Sequence, residues 1–300
     1  MYKSIAQLVG TAEEKKVPIW RLVLDQEIEY SKKPEAEIID HMDRQLKVME
    51  KAAKRGAEGK GVHSPTGLSG GDAVKIRKYR EAGKGLSGDT VLWAIQNAIA
   101  TNEVNAAMGV ICATPTAGSS GTIPGVLFSL DQKFDLSREQ KIHFLFTASG
   151  FGMITANNAM IAGATGGCQA EIGSASAMAA AAAVEMQGGS PTQAAEAFAM
   201  AMSNLLGLVC DPVAGLVELP CVKRNVAGSV NALAAADMAL AGISNRIPAD
   251  EVVDAMRRVG KRMPPELRET GRGGIAATPT GIKMKMRIFG ESFQSQDDEK

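Results

Sequence analysis

An alanine-rich run that follows Cys168 and ends at Met186 constrains the fold of this chain more than any other stretch. Alanine has the highest intrinsic helix propensity, and the pair Gly188-Gly189 is a stop signal for a helix. The small side chains of the run also let neighbouring helices approach closely. The sequence therefore predicts a helix here, with other helices packed tightly against it.

Local signals elsewhere also favour helices. Ser137 with Gln140 and Ser190 with Gln193 match the capping box that opens a helix, the second with proline at the first helical position. Further helices are predicted from Asp89 as N-cap toward Met108, from Ile123-Pro124, from Cys221 to Ala241 and from Ala249 to Arg262. Apart from one short extended piece expected at residues 108–113, no alternating apolar pattern indicates a sheet. The sequence predicts an all-α, multi-helix fold without internal repeats.

The N-terminal region, residues 1–60, has its own helical pattern. Thr11 and Glu14 match a capping box, and apolar residues repeat at helical spacing before Gly56 ends the run. Residues 61–290 are expected to continue from these helices as one larger unit, and residues 291–300 to form a disordered tail. Within the larger unit, the glycines of Ser149–Gly152 are expected to break a helix.

Charge and hydropathy exclude several classes of protein. The chain has 33 basic and 33 acidic side chains, so its formal charge of zero gives no basic footprint for nucleic acid. The most apolar run, residues 172–184, is shorter than the ~20 residues that span a bilayer. Charged residues between Lys3 and Lys16 interrupt any signal-peptide pattern. We therefore expect a cytoplasmic protein with reduced thiols, and neither nucleic acid nor a membrane as partner.

Two glycine-rich stretches are candidate binding loops. Residues 59–72, which include Gly70 and Gly71, contain too many breakers for a regular element, and their N–H groups could hold an anion. The alternative is a flexible connector. The second loop precedes a predicted helix N-terminus, where carboxylates and phosphates bind, although a simple turn fits equally well. Its candidate substrate-binding residues are Thr114, Thr116, Gly118, Ser119 and Gly121.

Other polar side chains are candidates on weaker patterns. The paired Asn157 and Asn158 lie in a short apolar segment, which predicts buried hydrogen bonding to the backbone or to a substrate. Of the three histidines, His41 lies in a charged helix and His143 in a core helix. His63, in the first glycine-rich loop, is therefore the better candidate for a general base.

Three of the four cysteines lie in stretches that a close-fitting site would need. Cys168 follows two glycines, while Cys210 and Cys221 flank a short connection that contains proline and glycine. Thiolates hold iron–sulfur clusters, and adjacent glycines let backbone N–H groups approach the sulfurs. The spacing is unspecific, however, because cysteines also occur as small buried hydrophobes. The residues alone leave both interpretations open.

Four motifs carry a family resemblance. They are ATPTAGSSGTIPG at residues 113–125, GGCQAEIGSASAM at 166–178, CDPVAGLVELPCVKRN at 210–225 and RETGRGGIA at 268–276. In this order they resemble the iron–sulfur L-serine dehydratases, specifically the separate alpha chain of the two-subunit form. The resemblance covers most of the chain from about Gly61 to Ala277.

The resemblance implies that Cys168, Cys210 and Cys221 hold a [4Fe-4S] cluster, and that residues 61–290 are an iron–sulfur catalytic domain. The iron without a thiolate would act as a Lewis acid on the hydroxyl of L-serine, which would be deaminated to pyruvate and ammonia without pyridoxal phosphate. The Thr114–Gly121 loop would orient the substrate carboxylate. Gly70 and Gly71 would belong to a second substrate loop.

The resemblance also implies a partner and a non-ligand cysteine. The beta portion of the family is absent from this sequence, so we expect a separate beta chain, whose own histidine could complete the site. Single-chain members carry a cysteine near the C-terminus that can occupy the open iron, and the printed sequence has none there. Cys112 matches no ligand position. Lys223 or Arg224 could supply charge beside Cys221, or could have a structural role.

Two other functions compete with serine deamination. A related lyase would act on L-cysteine, where the iron would draw off sulfide. A non-catalytic protein could instead hold a cluster, or zinc through three cysteines and a histidine. The colour of the anaerobically purified chain and its release of pyruvate from serine or cysteine would separate the three.

Overall fold

The computed structural model describes residues 2–290, and within them helices are joined by loops with no strand. The all-α prediction is confirmed. The helices are α1 (Ile5–Lys15), α2 (Ile19–Ser31), α3 (Glu35–Ala57), α4 (Asp72–Glu81), α5 (Asp89–Ala106), α6 (Thr122–Phe134), α7 (Arg138–Asn158), α8 (Gly163–Gly166), α9 (Ser174–Met186), α10 (Pro191–Ser203), α11 (Cys221–Leu240), α12 (Ala249–Arg262) and α13 (Pro279–Phe289). A π-helical segment, Gln169–Gly173, leads into α9. The tail predicted at residues 291–300 lies outside the described residues.

The alanine-rich run forms α9, which lies at the centre of the protein. Its residues from Ser174 to Val184 are all buried. Helices α6, α7, α10 and α11 pack around it. Alanine side chains permit this because interiors pack densely and a small side chain brings helix axes together. The expected close packing against this run is confirmed.

The N-terminal helices share the hydrophobic core of the rest of the chain, to which Leu8, Leu24 and Leu46 contribute fully buried side chains. The capping box predicted at Thr11 is wrong. Helix α1 already begins after Ser4, whose hydroxyl accepts the N–H of Gln7. Thr11 lies inside that helix, and its hydroxyl donates to the carbonyl of Gln7 over 2.8 Å.

Helix α7 runs without interruption from Arg138 to Asn158, so the break predicted at Ser149–Gly152 is wrong. Both glycines lie where a neighbouring side chain touches the helix backbone. A Cβ at Gly152 would come within 2.6 Å of Met178 Cε, and a Cβ at Gly150 would clash with Val23. These glycines permit close helix packing, which compensates for their low helix propensity.

Most predicted helix starts agree with the structure. Ser137 and Ser190 form complete capping boxes, and α11 and α12 begin at Cys221 and Ala249 as predicted. Asp89 is the first residue of α5, and Gly88 is the N-cap, so the assignment of Asp89 as the cap is wrong by one residue.

Two short segments differ from expectation. Residues 108–113 form no strand, because no other segment pairs with them among the described residues. Helix α4 follows the first glycine-rich loop and was not predicted. Its N-terminus is capped from a distance, since the buried carboxylate of Glu103 accepts the N–H groups of Asp72 and Ala73 over 2.8 and 3.3 Å. No helix among residues 2–290 has the length and apolar character needed to cross a bilayer.

Candidate active site

Two cysteines and a glutamate form a buried group at the N-terminal end of α9. The side-chain ligand atoms of Cys168, Glu171 and Cys210 all lie within 4.8 Å of one another. The π-helical segment after Cys168 places Glu171 on the same side as that thiol. Cys210 is held by the 268–276 motif, because its N–H donates to Leu267 and its carbonyl accepts the N–H of Glu269. We refer to Cys168, Glu171 and Cys210 as the thiol group.

Cys221 begins α11 and is also buried, with 5 % of its surface exposed. Negative charge on Cys168 and on Glu171 raises the pKa of the Cys221 thiol, although burial is the larger cause. This electrostatic effect indicates that the third predicted ligand lies near the thiol group. Its Sγ is not one of the atoms within the 4.8 Å limit.

The thiols and the carboxyl group have different proton affinities. A hydrogen bond from the Cys210 thiol lowers the pKa of Cys168, and the charge of Arg224 acts in the same direction. The same hydrogen bond, together with burial, raises the pKa of Cys210. Burial raises the pKa of the Glu171 carboxyl. Cys168 is therefore the thiol that ionises first.

Arg224 connects three parts of the site. Its Nη1 lies 2.7 Å from the buried carboxylate of Asp211, 3.6 Å from Cys168 Sγ and 2.7 Å from the carbonyl of Val209. The other oxygen of Asp211 accepts the N–H of Ile275 over 2.7 Å. Lys223, in contrast, is mostly exposed and pairs with Asp72 at 3.6 Å. Of the two candidate cations, only Arg224 contacts a thiol of the site.

Glycines leave the space that the thiol group needs. A Cβ at Gly163 would lie 2.8 Å from Cys210 Sγ and 2.7 Å from Glu171 Oε2. A Cβ at Gly118 would lie 3.1 and 3.2 Å from the two carboxylate oxygens of Glu171. The backbone of two separate loops thus approaches the group closely, as glycines beside a cluster would allow.

The loop of residues 113–121 is joined to the thiol group through Glu171. The Thr116 hydroxyl donates to Glu171 Oε1 over 2.8 Å and lies 3.1 Å from the Ser119 hydroxyl. Ser119 is fully buried, and its hydroxyl lies 3.0 Å from the carbonyl oxygen of Thr114. Within the described residues, the buried hydroxyl of Thr114 has no hydrogen-bond partner. Thr114 therefore has a hydroxyl available to a ligand.

Asn225 connects this loop to the helix that Cys221 begins. Its Nδ2 donates to the carbonyls of Gly118 and Cys221 over 2.8 and 3.0 Å. Its Oδ1 accepts the N–H of Gly121 over 2.9 Å and the hydroxyl of Thr122 over 3.0 Å. Gly118 and Gly121 are thus fixed by a side chain from the third cysteine motif.

The first glycine-rich loop presents His63 at its edge. An isolated bridge joins His63 to Gly70, and a Cβ at Gly71 would lie 3.1 Å from His63 Nε2. The imidazole is exposed and is not a member of the thiol group. Burial raises the pKa of Glu103, and the charge of His63 opposes that shift, so Glu103 is an acidic neighbour of His63. The structure places His63, Gly70 and Gly71 together.

Three sequence candidates lie elsewhere. Asn157 and Asn158 are exposed at the end of α7, so their expected burial is wrong, and Asn158 donates to the carbonyl of Lys3 over 2.8 Å. His143 stacks on Trp20 with ring centroids 3.5 Å apart, which agrees with a structural role. His41 lines a surface cavity of about 400 Å³ between α2, α3 and α7.

Sequence reasoning missed Glu171, Asn225 and Asp211. Glu171 had a detectable signal, since it is the only charged residue of an apolar, small-residue run and buried charges require partners. Asn225 and Asp211 had none, because an amide or carboxylate beside a cysteine motif is equally common on a surface. Their roles depend on partners distant in the sequence.

The donor set of the site fits a thiolate-bound cluster. All four cysteines are unpaired, three are buried, and soft thiolates select iron–sulfur clusters and zinc. The glycine at position 163 leaves space at the thiols that any side chain would fill. Among the described residues, the group within 4.8 Å contains a carboxylate and no imidazole, unlike the zinc site with three cysteines and a histidine.

Fold and site together define a helical protein with a buried, thiolate-based metal site. The family described as serine dehydratase alpha chain matches residues 14–276. The chain therefore belongs to the serine dehydratase alpha chain family, as its motifs predicted.

Curated relatives agree with this assignment. The chain is 57% identical over 297 residues to the probable L-serine dehydratase, alpha chain, of Bacillus subtilis, covering 99% of this chain and 98% of that one. It is 43% identical to the L-serine dehydratase, alpha chain, of Peptoniphilus asaccharolyticus, covering 97% and 99%. L-serine dehydratase 1 of Escherichia coli is 36% identical over 92% of this chain, which spans 61% of that protein.

Proposed function

We propose that this chain is the alpha chain of a two-subunit L-serine ammonia-lyase, which converts L-serine to pyruvate and ammonia. The observation that carries the proposal is the hydrogen bond from Thr116 to Glu171, because it joins the candidate carboxylate-binding loop to the thiol group. The printed names of the relatives, L-serine dehydratase and its alpha chain, support the same reaction.

The reaction removes the Cα proton and the β-hydroxyl of serine. The resulting aminoacrylate tautomerises to an imine, which water hydrolyses to pyruvate and ammonia. Hydroxide is a poor leaving group, and a [4Fe-4S] cluster with one iron free of thiolate supplies the Lewis acid that the step requires. Pyridoxal phosphate has no part in the proposal.

Residues of this chain would hold the cluster and orient the substrate. Cys168, Cys210 and Cys221 would be the cluster ligands, with Arg224 offsetting negative charge on Cys168. The unpartnered hydroxyl of Thr114 and the loop that ends at Gly121 would bind the substrate carboxylate. Ligation by thiolates requires reduced thiols, which the cytoplasm maintains.

His63 is the proposed general base, with its imidazole accepting the Cα proton. Because this imidazole is exposed in the alpha chain, the proposal includes a separate beta chain that covers the loop and excludes water. The alpha chain alone is then expected to be weakly active.

The test is turnover by the anaerobically purified chain, reconstituted with iron and sulfide and combined with its beta chain. We expect pyruvate from L-serine, loss of activity in air, and recovery with iron, sulfide and reductant. Faster release from L-cysteine would favour the related cysteine lyase. A colourless zinc protein without either activity would contradict the proposal.

A further inference from the structure

Glu218 is a buried carboxylate in the connection between Cys210 and Cys221, with 4 % of its surface exposed. It accepts two short hydrogen bonds from the first glycine-rich loop. The Thr66 hydroxyl donates to Oε1 over 2.7 Å and the Ser69 hydroxyl donates to Oε2 over 2.6 Å. Each carboxylate oxygen thus has its own partner from the loop.

The loop behaves as one unit because further hydrogen bonds close it. The N–H of Ser64 donates to Ser69 over 3.0 Å and the N–H of Gly71 donates to Val62 over 3.0 Å. The Thr66 hydroxyl also accepts the N–H of Leu68 over 3.1 Å. These bonds enclose the segment that begins beside His63. A displacement of the hydroxyls at its tip would therefore move the histidine.

Glu218 itself is attached to the cysteine connection. Its N–H donates to Leu216 and its carbonyl accepts the N–H of Val222, in the first turn of the helix that Cys221 begins. A hydrogen bond to a charged acceptor is shorter and stronger than one between neutral groups. The loop tip is consequently held by the same segment that carries two of the proposed cluster ligands.

The far end of the loop has a separate attachment. Glu103 caps the N-terminus of α4, and Ala73 of that helix packs with Val222 in a small apolar cluster. Loss of Glu218 would leave this attachment in place. The effect of Glu218 is thereby confined to the tip that Thr66 and Ser69 belong to.

We propose that Glu218 is a positioning residue, which fixes the His63 loop against the connection between Cys210 and Cys221. It acts through Thr66 and Ser69 and does not itself contact the reacting atoms. The catalytic part of this inference rests on the proposed function. The attachment of the loop is measurable without any turnover.

The experiment compares Glu218→Ala with wild type in the full, cluster-reconstituted chain. Hydrogen exchange of peptides covering residues 62–71 measures loop order, while iron content and activity with the beta chain are measured on the same samples. We expect exchange of the loop amides to rise by about tenfold, the effect of losing hydrogen bonds to a charged acceptor. We expect kcat/KM for L-serine to fall by a similar factor while iron content stays at the wild-type level.

A control and a second route keep the test decisive. Glu185→Gln alters another carboxylate that holds a hydroxyl and two backbone N–H groups, at the start of α2, and should change neither loop exchange nor kcat/KM. If Glu218→Ala does not fold, the double variant Thr66→Val with Ser69→Ala removes the same two bonds from the loop side. Combined with Glu218→Gln, the double variant should add little further loop exchange, because the substitutions break one interaction.

Three results would overturn the inference. Wild-type loop exchange in Glu218→Ala would show that the carboxylate does not hold the loop. Raised exchange with unchanged kcat/KM would show that holding the loop does not position a group that matters. Loss of iron in step with activity would assign Glu218 to the cluster pocket instead. If wild type itself fails to deaminate serine, the proposed function falls, and unchanged or raised exchange still decides the attachment.

Discussion

The side-chain amide of Asn225 donates to the carbonyl oxygen of Gly118 over 2.8 Å, across 107 positions of sequence. Because the same side chain also accepts from Gly121 and donates to Cys221, it fixes the position of the 113–121 loop relative to the third proposed cluster ligand. Substrate loop and thiols are therefore held in one arrangement before any ligand binds.

Asn225→Ala is expected to destabilise the chain. The substitution leaves buried backbone groups of Gly118 and Gly121 without a partner, and each such group costs about 1–3 kcal/mol. Urea unfolding should show a lower midpoint. Asn225→Asp is the matched control, since it retains the acceptor for Gly121 but loses the donor for Gly118, and its midpoint should fall between the two. Equal midpoints for wild type and Asn225→Ala would contradict this role.

The four cysteines are expected to differ in iron binding. Cys112 is only half-buried, and its thiol donates to Gln45 Oε1 over 3.3 Å, outside the thiol group. Cys112→Ser should keep iron and sulfide at wild-type levels. Alanine in place of Cys168, Cys210 or Cys221 removes a thiolate, and the cluster should be lost together with some stability. Iron and sulfide analysis of the four variants measures this. An iron-poor Cys112→Ser would imply four cysteine ligands.

Gly163→Ala is expected to reduce iron binding without removing any ligand. Its Cβ would lie 2.8 Å from Cys210 Sγ, inside the space that a bound group would need. Gly173→Ala is the matched control in the same region, because its Cβ would meet only Leu205 Cβ at 3.7 Å, an ordinary contact. Replacing a helical glycine there should even stabilise the fold, by about 0.5–1 kcal/mol. Equal iron contents for the two variants would refute the steric argument.

Glu185 is expected to make stability fall as pH rises. Burial raises the pKa of its carboxyl above the ordinary value of 4.5, so the folded state binds the proton more tightly than the unfolded state. This contribution is complete below pH 4.5 and is lost as pH rises through the folded-state pKa. Glu185→Gln removes the titration. Melting temperatures of both proteins between about pH 4 and 8 should diverge accordingly, with wild type losing stability relative to the variant.

The sequence by itself determined the helical class, several helix boundaries and the family. Ser137 and Ser190 predicted their helices because a capping box involves only residues three positions apart, and the alanine-rich run predicted α9 because propensity is local. The family followed from four motifs in a fixed order. The described residues agree on each of these points.

Only the tertiary structure decided how the motifs meet. Glu171, Asn225 and Glu218 acquire their roles from partners 55, 107 and 152 positions away, which no local pattern reveals. Tertiary packing also overrode local signals, since Gly150 and Gly152 continue α7 where close contact with Val23 and Met178 favours them. Local propensities are small free energies, and burial of one well-packed or hydrogen-bonded side chain exceeds them.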